Sequence, residues 1–120
     1  MISPDMFRDV SLPGGYLISR LEIVEGPLVD AIGRPAFAQT QIVGRKLRLV
    51  LLSSLSEKEK SVTLYHEILE AMTIAVSEPP AQVLDFNEGD FEKAAYDSFA
   101  RYGEASPGNL NRMLQSYGFR

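Results

Sequence analysis

Ser56-Glu57-Lys58-Glu59, followed by Val62, Tyr65, Leu69, Met72 and Val76, is the segment that most limits what this chain can become. The first four residues match a capping box, in which the serine hydroxyl and the glutamate three residues later satisfy each other's backbone N–H groups. The apolar residues then recur at helical spacing, reinforced by Ile68 and Ala75, and Pro79-Pro80 stops the pattern because neither proline supplies an N–H. A helix this long, apolar along one side, must bury that side against a layer drawn from elsewhere in the chain.

The upstream half supplies that layer. Tyr16–Val24 opens after Pro13-Gly14-Gly15 and closes at Gly26-Pro27, which reads as a strand between turns. Ala36–Val43 and Lys46–Leu52 flank Gly44-Arg45, a two-residue turn joining antiparallel strands. Leu47, Leu49 and Leu51 alternate with Arg48 and Val50, so one face of the last strand is buried. Downstream, Phe91, Ala94, Ala95, Phe99 and Tyr102 predict a helix over Asp90–Tyr102 with Gly103 just past its end. Ser106-Pro107 begins a third helix carrying Leu110, Met113, Leu114 and Tyr117 before Gly118. The expected fold is a single α+β domain over residues 1–120. In it a three-stranded, mostly antiparallel sheet packs on one long helix, and two shorter helices follow.

Composition narrows the function classes. The 45% hydrophobic and 23% charged content is that of a globular domain, and a net charge of −4 provides no basic field for nucleic acid or anionic membrane. The longest apolar run, Leu47–Leu55, is broken by Arg48 and serines, so no bilayer span is expected. Met1–Val10 carries Asp5, Arg8 and Asp9 and lacks a signal-peptide core, which reads as cytoplasmic. With no cysteine and one histidine, any transition metal would depend on His66 and carboxylates.

His66-Glu67-Ile68-Leu69-Glu70 meets that requirement. Four residues apart on the long helix, His66 and Glu70 project from one face and can converge on one ion. Glu67 is rotated from His66 by ~100° and flanks such an ion without ligating it. That is the place for a general base acting on an activated water, as on an H-E-x-x-H helix.

Here the sequence resembles a known family. Leu64-Tyr65-His66-Glu67-Ile68-Leu69-Glu70-Ala71 is similar to the H-E-[IV]-L-[HE]-A helices of small bacterial and phage-associated zincin-like proteins. The likeness spans residues 41–117: a strand and turn, the capped helix, then a helix with a glutamate in the setting of Phe91-Glu92-Lys93-Ala94-Ala95-Tyr96-Asp97-Ser98-Phe99. It implies a zinc-dependent, peptidase-like hydrolase acting on a peptide or protein. His66, Glu70 and Glu92 would hold the metal and Glu67 would be the base. Ala36–Val43 would be the edge strand that forms the substrate groove.

Glu92 borders the apolar face of its helix and can point toward a neighbour. Glu88, one turn earlier, is its alternative if the helix starts sooner; Asp85 and Asp90 are weaker, with Asp90 accounted for as an N-cap. One imidazole and two carboxylates donate more charge than two imidazoles and one carboxylate, which weakens the metal's Lewis acidity and opens the site to manganese or iron as well as zinc. Tyr65, Tyr96, Tyr102 and Arg101 are the candidates for stabilising an oxyanion. Tyr96, Phe99 and Tyr102 are also expected as core aromatics. The competing classes are a non-catalytic zincin-fold binding or regulatory module, phage-related in setting, and a plain α+β adaptor without metal.

Overall fold

The structure is a computed structural model that describes residues Met1–Arg120. Six strands run in chain order: β1 (Val10–Ser11), β2 (Leu17–Val24), β3 (Leu28–Val29), β4 (Pro35–Ala36), β5 (Ala38–Val43) and β6 (Lys46–Leu52). Three α-helices follow: α1 (Glu57–Ala75), α2 (Glu88–Tyr102) and α3 (Pro107–Ser116). Short 3-10 turns cover Pro4–Phe7 and Pro13–Gly15.

The mixed α+β class with three helices is as expected, but the sheet is not. It has four strands in the order β1-β2-β6-β5, and β3 and β4 form a separate two-stranded ribbon. β5 and β6 pair antiparallel through Gly44-Arg45, where Gly44 takes the positive φ of 62° that the tight turn requires. β2 and β6, however, run parallel over Leu17–Val24 and Lys46–Leu52. The reason lies in the connection. The β3–β4 ribbon between β2 and β5 gives the chain length to carry β5 to the far edge, so β6 returns in the same direction as β2. β1, the fourth strand, is two residues long and leaves no period in the sequence.

Alternation sets the two faces of this sheet. Ile18, Leu21, Leu47, Leu49 and Leu51 point inward and are buried, while Arg20, Glu22, Arg48 and Val50 occupy the other face. Against the inner face lies α1, which buries Val62, Leu64, Tyr65, Ile68, Leu69, Ala71 and Met72. Both halves of its capping box are formed: Glu59 N–H donates to Ser56 Oγ at 3.1 Å and Ser56 N–H to Glu59 Oε1 at 2.9 Å. α1 ends at Ala75, before the proline pair, with Val76 already extended.

α2 packs antiparallel on α1, since Lys58 lies over Phe99 while His66 meets Glu92. It begins at Glu88 rather than Asp90. Asn87 is the N-cap, and Asp90 closes a second capping box from the third helical position. The Tyr65 hydroxyl donates to Gly103 O at 2.9 Å and Ala105 N–H donates to Ser61 Oγ at 3.0 Å, fastening the α2–α3 link to α1. Phe99 and Tyr102 pack on the core, but Tyr96 stays half exposed and is not part of it. No helix is long and apolar enough to cross a membrane.

Candidate metal centre

The buried stripe of α1 leaves His66, Glu67 and Glu70 on its solvent-facing flank, partly shielded by neighbours on either side. His66 sits at the border facing α2 and Glu67 at the border facing β5, as their partners show. One ligand atom from each of the three lies within 4.8 Å of the other two.

Two different distances surround the imidazole. Nδ1 is 2.7 Å from Glu92 Oε2, a charge-assisted hydrogen bond. Nε2, on the opposite edge of the ring, is 3.3 Å from Glu88 Oε2 and 3.8 Å from Glu70 Oε2. Tetrahedral zinc with bonds of about 2.0 Å holds its ligand atoms about 3.3 Å apart. On the Nε2 side Glu88 stands at that spacing and Glu70 about half an ångström beyond it, whereas the Nδ1 side has the spacing of a hydrogen bond. Glu88 reaches Nε2 because α2 starts two residues earlier than its apolar spacing predicts.

The electrostatics follow from this crowding. Glu70 first, then Glu92, raise the His66 pKa to about 9 against the burial that lowers it. The imidazolium holds Glu70 below the usual carboxylate range. Glu88 is pushed up, chiefly by its hydrogen bond with Glu70, so these two carboxyls compete for the same space. Two carboxyls in contact need a proton or a cation between them. A metal here would displace the His66 proton.

Glu67 is set apart. Burial raises its carboxyl above the ordinary value, partly offset by Thr40, whose Oγ1 donates to Glu67 Oε1 at 2.9 Å. Thr40 is inward-facing on β5, the edge strand, paired with Leu49. It was not among the residues expected at the site. Its inward place in the β5 alternation was readable, but its pairing with a residue 27 positions away was not. A groove lined by Thr40, Ile42, Glu67, Glu70, Ala71 and Ile74 runs between β5 and α1, so the strand expected at the groove does flank the cluster.

The oxyanion candidates fare unequally. The Tyr65 hydroxyl is committed to Gly103, and burial pushes it up to about 12. Arg101 and Tyr102 line a different cavity with Tyr117. Tyr96 remains, one turn beyond Glu92 and half exposed. Asp85 forms no hydrogen bond or ion pair with the cluster, and Asp90 serves the α2 cap. Comparison with protein-family models, curated proteins and solved structures found no match to the chain.

Proposed function

We propose that the chain is a metal-dependent hydrolase, peptidase-like, holding zinc through His66 Nε2, Glu70 and Glu88. The observation that carries this reading is the convergence of His66, Glu67 and Glu70 within 4.8 Å, with Glu88 at inter-ligand distance from Nε2. Glu92, expected as a ligand, is better suited to orient the ring. Once the ring gives up a proton to a metal, its contact with Nδ1 would hold the Nδ1–H tautomer, which leaves the Nε2 lone pair free. A zinc ion bound there would act as a Lewis acid and lower the pKa of a water beside it.

Glu67 is the proton acceptor in this reading. Its carboxyl flanks the ligand set, is raised by burial above its ordinary value, and is steadied by Thr40. It takes the proton from the attacking water at a carboxylate oxygen and can return it to the leaving amine. Glu67→Gln is expected to lower hydrolysis of a peptide substrate by about 10²–10⁴-fold, the range of general-base contributions, with zinc content unchanged by elemental analysis. Loss of zinc in that variant would instead make Glu67 a ligand.

A second reading has its own observation. The 2.7 Å His66–Glu92 contact closes the cluster without any ion, as a clasp between α1 and α2. In a non-catalytic binding or regulatory module that clasp would be its whole purpose. Zinc content of the protein purified without added metal separates the two.

A further inference from the structure

Next to the metal cluster lies a cavity of about 640 Å³ between the outer face of the sheet and the β3–β4 ribbon. β5 contributes four successive residues to its wall, Ala38 to Gln41, so the cavity reaches both sides of this edge strand. Glu67 belongs to its wall on the α1 side, and Arg48 to its wall on the outer side.

The charges on that wall do not cancel as their count suggests. Glu22 is paired with Arg20 at 2.9 Å. Asp30 takes the Arg34 guanidinium at 2.9 Å together with the backbone N–H groups of Ile32 and Arg34. Glu67 accepts from Thr40. Glu22 and Asp30 are thus paired with arginines within the protein, while Glu67 has the neutral Thr40 hydroxyl on one oxygen. Arg48, the single cation on the wall, has neither an ion pair nor a hydrogen bond, and the side-chain amide of Gln41 opposite it on β5 is also free. Arg48 and Gln41 thus leave donor capacity unspent on the outer part of the cavity wall.

We infer that this cavity binds a peptide carboxylate, with Arg48 as its anchor and Gln41 beside it, placing the adjoining backbone toward Glu67. A guanidinium matches a carboxylate through two parallel N–H···O bonds, which an ammonium cannot reproduce. That the ligand is a peptide rests on the hydrolase reading; that it carries a carboxylate rests on the cavity alone.

Three probes test this: acetyl-trialanine as the free acid, the same peptide amidated, and amidated acetyl-Ala-Glu-Ala. Binding is followed by backbone amide shifts of residues 38–41 and 48–50, in metal-free and zinc-loaded protein. At least one carboxylate-bearing probe should bind about tenfold or more tighter than the amidated trialanine, in line with a charge-assisted pair. Which one does so tells a chain terminus from an acidic side chain. Arg48→Gln should erase the preference and Arg48→Lys should restore it in part; the site is exposed, so both variants are expected to fold. Equal binding of all three probes, or a preference that survives Arg48→Gln, overturns the inference. An Arg48-dependent preference in a chain that binds no zinc would sink the hydrolase reading and leave the anchor standing. Zinc-dependent hydrolysis indifferent to Arg48 would do the reverse.

Discussion

The two sides of α1 are held by different physics. Its inner stripe of Val62, Leu64, Tyr65, Ile68, Leu69 and Met72 is stabilised by removal from water, which depends on area and fit and little on which atom meets which. Its outer flank of His66, Glu67 and Glu70 works through single contacts: Nδ1 to Glu92, Oε1 to Thr40, Nε2 toward Glu88. Those contacts join half-shielded groups, and pairs of that kind add little to stability. The helix thus separates what folds the protein from what the proposed site would use, one residue apart. Substitutions on either side should move different observables.

The largest effect belongs to the inner side. Leu69 is fully buried in the core, and Leu69→Ala is expected to cost about 2–5 kcal/mol in denaturant unfolding. Zinc affinity, measured under conditions where the variant is folded, should not change. A parallel loss of affinity would show that the two sides of the helix are not separable.

His66→Ala should give the opposite pattern. In metal-free protein the cost is on the order of 1 kcal/mol, because Glu92 and Glu88 keep access to water after losing the imidazole. With zinc at a hundred times its Kd, the parent protein should gain about 2.7 kcal/mol, a rise in melting temperature that chelator reverses. The variant should show no such rise. If both proteins melt alike with zinc and with chelator, the metal reading is lost.

Acidity distinguishes the metal-free cluster from the loaded one by sign. His66 is raised from 6.5 to about 9, so in metal-free protein its contribution is complete below pH 6.5 and fades as pH climbs through about 9. Solvent around Glu70 and Glu92, the carboxylates that raise it, reduces that contribution to on the order of 1–2 kcal/mol. Zinc needs the neutral ring, so its affinity should rise about tenfold per pH unit across the same window. Metal-free stability and zinc affinity therefore trend in opposite directions between pH 6.5 and 8.5. Titration calorimetry in two buffers of different ionisation enthalpy should also register about one proton released per zinc at neutral pH.

How much of this was legible divides along the same line. The α1 stripe, its capping box, the β5–β6 hairpin and the inward leucines of β6 could all be read from the sequence, because each is a local period or a local turn. The parallel β2–β6 pairing could not. It is decided by where the β3–β4 ribbon sends the chain, and ribbon strands of two residues have no period. At the site, His66, Glu67 and Glu70 were readable as neighbours on one helix. The proposed roles of Glu88 and Glu92 turned on where α2 begins, which Asn87 sets by capping it before the apolar spacing starts. Thr40 showed only its inward place on β5, since nothing local to that strand marks a partner on α1.

Thr40 is also where the smallest effect should appear. Thr40→Val keeps the β-branched shape and the inward position on β5 and removes only the hydroxyl that bonds Glu67 at 2.9 Å. A single hydrogen bond to a charged group contributes about 1.5–3 kcal/mol, but Glu67 keeps its burial and can recruit water, so the lower end applies. Hydrolysis should fall by about tenfold, with zinc affinity unchanged because Thr40 touches no proposed ligand. Thr40 lowers the Glu67 pKa that burial raises, so its removal should shift the acidic limb of the rate–pH profile upward. Thr40→Ser, which returns the hydroxyl, should move the limb back; a void left by the missing methyl would not. If instead Thr40→Val weakens zinc binding as much as it slows hydrolysis, Glu67 lies within the ligand set, and the base must be sought among the other groups facing the groove.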